Sequence, residues 1–333
     1  MKVVVTGATG NLGSATVRVL SAGGGEDVVG VARRRPEGMG QTVDTSVEWR
    51  AADVATDDLT PVVEGADAVV HLAWKFQPTH RPEVTWATNA VGTRRLLAAV
   101  ARAGVPAVVC VSSVAAYSPV DHDHPVDETW DTDGASPAAY CREKAYVERA
   151  LDAFALAHPE VRLVRVRPAF VFQRSAASEQ RRIFGGALAR PSLLDRRRIP
   201  VLPVPAGLRL QAVHAGDVGR ALAAVATTDV SGAFNLAGDG VIAREELGEL
   251  FGARTVEVPA RLASAGLQAA WRARALPVPG NLLDAVMQLP LMATDRAVRD
   301  LAWSPQHTAA DALEAVLSGM PARAGSRMPP LHP

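Results

Sequence analysis

Short apolar runs alternate with helical patterns through the first half of the chain. The apolar runs predict strands at residues 3–6, 27–32, 47–51, 66–73 and 107–113. Helical periodicity bounded by glycine and proline lies between them, and it is longest at 82–103. Strands that alternate with helices pair in parallel through crossovers, so we predict an α/β fold with a doubly wound parallel sheet.

The first strand runs directly into a helix through glycines. Gly7 ends the strand, Gly10 and Gly13 follow at three-residue intervals, and the helix occupies about 11–20. In this context Gly7 makes the tight turn, Gly10 lets the backbone approach a ligand, and Gly13 lets the helix pack on the strand. The unpaired N–H groups and the dipole of a helix start favour a diphosphate. We therefore predict a dinucleotide site, with a plain structural turn as the alternative.

The composition limits the classes of binding partner that we expect for this chain. The chain has 333 residues and is 48% hydrophobic, enough for a large α/β domain and a smaller one. Lys+Arg and Asp+Glu number 35 each, so we expect neither a nucleic acid nor an anionic membrane as partner. No secretion-type leader and no membrane-length apolar run is visible, which predicts a cytoplasmic protein. Cys110 and Cys141 offer neither a disulfide framework nor a metal pair.

The end of the second strand carries information about the cofactor. An acidic residue there holds the ribose 2′-hydroxyl of NAD(H), whereas arginine meets the 2′-phosphate of NADP(H). Here Ala32 is followed by Arg33, Arg34 and Arg35, which favours NADP(H), with NAD(H) possible and a solvated turn as the alternative. Asp53, behind the third strand, is placed to contact an adenine amino group or to cap a helix beginning near residue 57.

A candidate for proton transfer follows the fifth strand. Ser113 ends that strand, and Tyr140 and Lys144 lie later in the string YCREK. Ser136 followed by proline predicts a helix N-cap, which would place Tyr140 and Lys144 on one face, one turn apart. A neighbouring ammonium would lower the pKa of the phenol, and Ser113 could hydrogen-bond the substrate oxygen. The alternative is a surface tyrosine beside a solvated lysine.

These motifs together resemble a known family. TGATGNLG at the start, HLA at His71, NAVGT around Asn89, SSVAAY from Ser112, YCREK, and RPAFVF from Arg167 are similar to those of extended short-chain dehydrogenases/reductases of the NAD-dependent epimerase/dehydratase family. The similarity continues through VHAGDV, NLAGDG and LAWSP, and so covers the whole chain.

The resemblance implies an architecture. We expect a Rossmann-type domain at 1–168, with a strand and helix at about 207–236 returning to it. A smaller, mostly helical substrate-binding region would be formed by 169–206 and 237–320, followed by a loose tail at 321–333. The resemblance also implies a homodimer through the helices at 82–103 and 138–158.

The resemblance further implies roles for residues of the site. Ser113, Tyr140 and Lys144 would be catalytic, Asn89 would support the active site, and 167–171 would border nicotinamide and substrate. The predicted substrate residues are Trp74, Phe76, Ser113 and Phe170. The predicted cofactor site consists of Gly7, Thr9, Gly10, Asn11, Leu12, Gly13, Arg33, Arg34, Asp53, Val54, Leu72, Ala73, Trp74, Val111, Ser112, Tyr140, Lys144, Pro168, Ala169 and Val171.

The residues after the sixth strand depart from the nucleotide-sugar members of that family. Those members typically have an asparagine and a Gly-Pro there, whereas this chain reads RPAFVFQR from Arg167. The difference weakens the case for a sugar-nucleotide substrate. Trp74 and Phe76 would place bulky apolar surface near the pocket, as suits an apolar carbonyl compound, or they could be packing residues.

Other features remain ambiguous at the level of sequence. Seven arginines between 174 and 198 could bind the phosphates of a nucleotidyl or CoA-linked substrate, or form a solvated, helix-rich lid. The DHDH string at 121–124 superficially suggests a metal, but its flanking prolines favour a loop, and we predict no metal site. Asp217, in a helix predicted after a strand at 208–213, is expected to be structural. Residues 259–317 are predicted to be helical with proline breaks.

Three functions are compatible with these residues. The first is an NADP(H)-linked reductase or dehydrogenase acting on a secondary alcohol or ketone, with Tyr140 as the proton shuttle. The second is an epimerase or dehydratase that oxidises its substrate transiently and returns the hydride. The third is a non-catalytic dinucleotide sensor, which usually lacks the tyrosine and lysine present here.

Overall fold

The computed structural model describes residues 1–36, 46–76, 78–120, 124–186 and 199–332. Seven strands form one parallel sheet in the order β10-β6-β5-β4-β1-β2-β3, which confirms the predicted doubly wound α/β class. The strands are β1 (Lys2–Thr6), β2 (Asp27–Ala32), β3 (Val47–Ala51), β4 (Ala68–His71), β5 (Ala107–Val111), β6 (Arg162–Pro168), β7 (Phe170–Phe172), β8 (Val201–Pro205), β9 (Ala212–His214), β10 (Gly232–Leu236) and β11 (Arg254–Val258).

Helices cover both faces of this sheet. α1 and α7 pack on one face, and α2, α4 and α5 pack on the other. The helices are α1 (Asn11–Gly23), α2 (Thr60–Val63), α3 (Pro82–Trp86), α4 (Gly92–Ala103), α5 (Ala139–Ala157), α6 (Ala177–Gly185), α7 (Ala215–Thr227), α8 (Arg244–Phe251), α9 (Ala260–Arg272), α10 (Gly280–Val286), α11 (Asp295–Leu301) and α12 (Ala309–Gly319).

The central strands are apolar because both of their faces are covered. Val3, Val4 and Val5 of β1 are fully buried, as are Val108 and Val109 of β5. The sheet therefore forms the centre of the core. The strand order changes direction at β1, which has β2 on one side and β4 on the other. Among the described helices, none is long and apolar enough to cross a membrane.

Part of the second half of the chain joins the same sheet, and the rest forms elements outside it. α7 packs on α1, where a Cβ on Gly219 would lie 3.1 Å from the Ala15 carbonyl carbon, and β10 adds the seventh strand beside β6. Two small parallel pairs, β7 with β9 and β8 with β11, lie outside the main sheet. α6 and α8–α12 add the helical part that was predicted for this half.

Several predicted boundaries are corrected. The strand expected at 66–73 is limited to Ala68–His71, because the chain bends past the Gly7 turn after His71. The strand expected at 107–113 ends at Val111, since the Ser113 side chain caps a short turn at Val114–Ala116. The strand expected at 208–213 is Ala212–His214, because Leu210 instead makes an isolated antiparallel bridge with Ile242.

The predicted helix starts are also corrected. α5 begins at Ala139, not at Ser136, because Ala138 is still extended (φ −98°, ψ 134°) and, as an alanine, has no capping group. The helix expected near residue 57 begins at Thr60. The helix expected at 82–103 is observed as one continuous rod with a π-helical segment, Ala87–Val91, between α3 and α4.

The predicted loose tail is wrong for residues 321–332. Leu331 is fully buried inside a short turn, Pro329–Leu331, and its N–H donates to the Met328 carbonyl (2.8 Å). The Ser178 N–H of α6 donates to the Ala324 carbonyl (3.1 Å). The segment stays in place because it buries an apolar side chain and pairs its backbone groups with a helix. Residue 333 lies outside the described residues.

Candidate active site

Two connected cavities lie at the carboxyl edge of the sheet. The outer cavity extends from the Gly7 turn past the ends of β2 and β3. The inner cavity extends from the same turn past the ends of β4, β5 and β6 towards α6 and α10. Gly7, Gly10, Ala73, Trp74 and Glu179 line both, so one elongated molecule could occupy the two together.

The Gly7 turn brings the backbone close to its neighbours. Gly7 has φ +70°, and a Cβ there would lie 2.6 Å from the Ala73 nitrogen. A Cβ on Gly13 would overlap the Gly7 carbonyl and lie 2.7 Å from Ala8 Cα. α1 follows Gly10, which has no side chain with which to cap it, and the first helical residues line the inner cavity. The turn can therefore present backbone N–H groups to an anion.

Asn11 ties this turn to the other side of the cavity. Its amide nitrogen donates to the Val171 carbonyl (3.0 Å), and the Gln173 amide nitrogen donates to Asn11 Oδ1 (2.9 Å). The wall after β6 is therefore fixed to the glycine turn, although the two are far apart in sequence. Gln173 did not figure in the sequence prediction, because its partner is 162 residues away.

The outer cavity contains the predicted selectivity residues. Arg33 and Arg34 are exposed at its rim, and Thr9, Asp53 and Val54 also line it. The Asp53 carboxylate accepts from the Ala55 N–H (2.9 Å), while the Asp53 N–H donates to Asp57 (2.9 Å). Asp53 therefore shapes a turn and caps no helix, which corrects the capping alternative.

Tyr140, Lys144 and Ser113 all line the inner cavity. Tyr140 is in the first turn of α5, and Lys144 is one turn further along. Lys144 Nζ donates to the Val111 carbonyl (3.0 Å) and lies 3.4 Å from the centre of the Trp74 ring. Ser113 Oγ accepts from the Ala115 N–H (3.2 Å). The sequence spacing therefore does bring these three groups into one cavity.

Burial is the largest influence on the pKa values of Tyr140 and Lys144. It raises the pKa of Tyr140 above its usual value, and a hydrogen bond with Ser113 opposes that shift. Burial also lowers the pKa of Lys144 to about 7, against the attraction of Glu148. The prediction that the lysine lowers the pKa of the phenol is wrong for this arrangement, because the ammonium is directed at the Val111 carbonyl and the Trp74 ring.

Asn89 is buried in the π-helical segment and positions two neighbouring elements. Its Oδ1 accepts from the Lys75 N–H (2.7 Å), and its Nδ2 donates to the Lys75 carbonyl (3.1 Å) and to Glu143 (2.6 Å). The Thr85 hydroxyl donates to the same glutamate (2.6 Å). Asn89 thus holds both the loop that carries Trp74 and the helix that carries Lys144. Glu143 was missed, although it stands inside the YCREK string.

A buried ion pair holds the end of β6. Arg167 Nε donates to Glu148 Oε1 (2.8 Å) and Arg167 Nη1 to the Tyr117 hydroxyl (3.0 Å). Burial acts to raise the pKa of Glu148, but the hydrogen bonds and charge of Arg167, a hydrogen bond with Ser112 and the charge of Arg165 together leave the pKa lowered. Arg167 therefore fixes the end of the strand, and the residues that follow it line the inner cavity. The position of Glu148 gave no signal in the sequence.

Much of the inner cavity is lined by apolar side chains. Trp74, Phe76 and Phe170 are among them, and the Phe76 ring meets Tyr140 edge-on (4.6 Å between centroids) and Phe184 at 5.6 Å. Further apolar residues come from α6 and from α10 and the residues after it, and sequence reasoning missed them. They are Ile183, Phe184, Leu282, Ala285, Val286 and Leu289.

The remaining predicted residues also reach the cavities. They are Leu12, Leu72, Ala73, Val111, Ser112, Pro168, Ala169 and Val171, all of which line the inner cavity. Of the arginine-rich stretch, Arg182 lines the outer cavity and Arg174 donates to Ser318 Oγ (3.2 Å), whereas the arginines at 190 and 196–198 lie outside the described residues. Residues 121–123 of the DHDH string also lie outside them.

Within the described ranges, one cluster has metal-ligating side chains: His214, Asp217 and His307. The Asp217 carboxylate accepts from the N–H groups of Gln306 and His307 (both 3.1 Å) and pairs with Arg220 (2.8 Å). Its oxygens are thus already engaged with the protein, which is the structural role expected for this aspartate.

The sequence profile of the NAD dependent epimerase/dehydratase family matches residues 3–237. The chain belongs to this family. The match runs from β1 to the end of β10 and so covers the main sheet and most of both cavities.

Individual relatives are more distant. An uncharacterized protein of Mycobacterium tuberculosis is 29% identical over 266 residues, which cover 78% of this chain but 24% of that protein. The chain thus spans about a quarter of the length of this relative. The L-arabinose 1-dehydrogenase (NAD(P)(+)) of Haloferax volcanii is 32% identical over 113 residues, covering 34% of this chain and 41% of that enzyme.

Solved structures share the fold over nearly the whole chain. The UDP-glucose-4-epimerase of Stenotrophomonas maltophila, with bound NAD and formylated UDP-arabinopyranose, has a TM-score of 0.72 at 20% identity and covers 97% of this chain and 98% of that one. The UDP-glucose 4-epimerase of Thermus thermophilus in complex with NAD has a TM-score of 0.69 at 20% identity, over 96% and 99%. At this identity the likeness establishes the fold.

Proposed function

We propose that this enzyme transfers hydride between NADP(H) and the ketone or secondary alcohol of an apolar substrate. The observation that carries the proposal is the placement of the Tyr140 phenol. It lines the inner cavity beside Phe76 and Trp74, which line both cavities and lie edge-on to its ring (4.6 and 5.9 Å). A carbonyl that reaches Tyr140 must therefore be attached to a group that packs against aromatic rings.

The residues of the outer cavity fit a dinucleotide. A Cβ at Gly7 would collide with the backbone of Leu72 and Ala73, and a Cβ at Gly13 with that of Gly7 and Ala8, so glycine at both positions permits the tight turn on which a diphosphate would sit. The start of α1 would hold the diphosphate, and Arg33 and Arg34 would pair with a 2′-phosphate. When bound, the cofactor supplies or accepts the hydride. NAD(H) fits the same turn, and the two arginines support the choice of NADP(H).

The side chains of the inner cavity would manage the proton. Tyr140 would deliver a proton from its phenol to the oxygen of the reduced carbonyl, and Ser113 would hydrogen-bond that oxygen. A buried phenol gives up its proton more readily beside a positive charge. Lys144, one turn away, would supply that charge only after its ammonium turns from the Val111 carbonyl and the Trp74 ring towards the phenol. Asn89 acts as a positioning residue through Glu143 and Lys75.

Epimerisation through transient oxidation is the second candidate. The structures of similar fold include epimerases whose bound molecules are UDP-sugars, as in the Stenotrophomonas enzyme. Against this stands the apolar lining of the inner cavity, which includes Phe76, Phe184 and Leu282. The two candidates differ in cofactor use, because an epimerase recycles its hydride and a reductase consumes NADPH in proportion to product.

Replacing Tyr140 by phenylalanine tests the proposal. We would screen aryl and alkyl ketones and UDP-sugars with the wild type, and then compare Tyr140→Phe with Tyr146→Phe, which lies on the same helix. Loss of the phenol should lower kcat by about 10²- to 10⁴-fold, while the NADPH Kd from fluorescence titration stays unchanged. Tyr146→Phe should retain the wild-type kcat.

The alternatives predict different results. Equal turnover of Tyr140→Phe and wild type on every accepted substrate would contradict the catalytic assignment. Conversion of a UDP-sugar without net NADPH consumption would favour the epimerase. A wild type that binds NADPH but converts no ketone or UDP-sugar would favour the sensor.

The assembly and the location remain predictions. We propose a homodimer formed through α3, α4 and α5, because Trp86, Val91 and Leu156 expose 41%, 42% and 86% of their surface on these elements and the segment between them. We also propose that residues 169–206 and 237–320 supply the substrate-binding region, with the dinucleotide held by 1–168, and that the protein is cytoplasmic.

A further inference from the structure

Arg182 of α6 connects the outer cavity to a segment near the end of the chain. Its Nη2 donates to the Pro330 carbonyl (2.8 Å) and its Nη1 to the His332 carbonyl (2.7 Å). We call residues 324–332 the closing segment. Pro329, Pro330 and His332 of this segment line the outer cavity, and so does Arg182 itself.

The closing segment is held to the rest of the fold at several points. Leu331 is fully buried, and the Ser326 N–H donates to its carbonyl (3.0 Å). The Ala324 carbonyl accepts from Ser178 (3.1 Å) and the Ala324 N–H donates to Gly319 (2.9 Å). These contacts fix the backbone that carries the two carbonyls bound by Arg182. The closing segment is thus a packed part of the fold that lines the outer cavity.

The chemistry of Arg182 points to an anion. A guanidinium has five N–H donors, and two carbonyl acceptors leave donors and the full positive charge unused. The Gly7 turn and Gly10, which suit a diphosphate, line the same cavity. Glu179, one turn earlier on α6, lines it too, and burial raises the pKa of this glutamate to about 7, so its charge opposes that of Arg182 little below neutral pH.

We propose that Arg182 and the closing segment belong to the dinucleotide site, with Arg182 donating at once to the cofactor diphosphate and to the carbonyls of Pro330 and His332. The inference rests on the cofactor part of the proposed function and adds a residue and a segment to it. One guanidinium then links two events, because each partner that orients it lowers the entropy cost of binding the other. Cofactor binding and the ordering of the closing segment should stabilise each other.

Binding experiments without substrate test this link. Arg182→Ala should raise the NADPH Kd at least about 10-fold and speed NADPH release, since it removes charge-assisted hydrogen bonds to phosphate. Arg174→Ala is the matched control, because Arg174 donates to Ser318 and lines neither cavity. Its Kd should equal that of the wild type. The melting temperatures of the cofactor-free proteins show whether each variant is folded.

Hydrogen exchange gives a second readout. In the wild type, saturating NADPH should slow exchange of the amides at 326–328 and 331–332, and Arg182→Ala should abolish this protection. Leu331→Ala loosens the closing segment without touching the guanidinium, and it should also raise the NADPH Kd. An unchanged Kd in a folded Arg182→Ala, or no protection by NADPH in the wild type, overturns the proposal.

The outcome is separable from that of the catalytic proposal. A protein whose Tyr140→Phe variant turns over normally, but whose Arg182→Ala variant binds NADPH weakly, loses only the catalytic assignment. A protein that fails to bind NADPH and NADH at all loses both. If Arg182→Lys raises the NADPH Kd only about half as much as Arg182→Ala does, that result further supports a phosphate contact. Lysine keeps the charge of arginine but not its fork of donors.

Discussion

The outer and inner cavities share one opening turn but are built in different ways. The shared turn is built from closely packed backbone and glycine, and a Cβ at Gly7 or Gly13 has no room. The inner cavity is shaped by side chains of α6 and α10, such as Phe184 and Leu282. The part that would bind a cofactor therefore tolerates little change, whereas the part that would bind substrate is adjustable.

The largest effect should come from adding one methyl group to the backbone-built part. Gly13→Ala pushes a Cβ into the Gly7 carbonyl and Ala8, and overpacking of this kind destabilises the fold by about 1–3 kcal/mol. Because the displaced backbone is the turn that would hold the diphosphate, the NADPH Kd should also rise, by as much as about 100-fold. The measurement is fluorescence titration, with circular dichroism to confirm the fold. Leu282→Ala, a larger change in the side-chain-built part, should leave the NADPH Kd within about 2-fold and alter KM for ketones. Equal effects of the two variants would remove the distinction.

A smaller effect is expected at the rim of the outer cavity. Arg33→Ala should weaken NADPH binding by about 10-fold and NADH binding by less than about 2-fold, because the lost charge pairs only with the 2′-phosphate. Arg35→Ala is the control, since Arg35 is exposed nearby but does not line the cavity. The two dissociation constants should be measured at one ionic strength. Parallel losses for both cofactors would show that Arg33 does not select NADP(H).

The last expected effect is on stability and concerns Glu179, which lines both cavities. Burial raises its pKa from 4.5 to about 7, so the native state holds a proton that the unfolded state has released between these values. Stability should fall as pH rises through this window and level off above it. Glu179→Gln should remove this fall and exceed the wild type by about 1–3 kcal/mol at pH 8, with little difference at pH 4.

Thermal melts at several pH values would check the Glu179 prediction. Glu245→Gln is the control, because Arg244 lowers the pKa of this exposed carboxyl. A wild-type and Glu179→Gln difference that stays constant from pH 4 to pH 8 would show that the glutamate is solvated, and the junction of the cavities would then be polar.

The sequence predictions were accurate for features set by neighbouring residues and inaccurate for features set by partners distant in sequence. The Gly7 turn, the strands around it and the spacing of Tyr140 and Lys144 were predictable, because each depends on a few neighbouring residues. The N-cap at Ser136 was wrong by a few positions, since Ala138 remains extended. The loose tail was wrong because no local pattern shows that Leu331 is buried or that Arg182 binds Pro330 and His332.

By itself, the sequence determined the parallel sheet, the glycine turn and the one-turn spacing of Tyr140 and Lys144. These features depend on period, glycine sterics and helix geometry, which act over a few residues. The tertiary structure alone decided the ion pair of Arg167 with Glu148, the apolar walls from α6 and α10, the direction of the Lys144 ammonium, and the place of the closing segment. Each of those depends on burial and on partners that are distant in sequence, and both are properties of the packed chain.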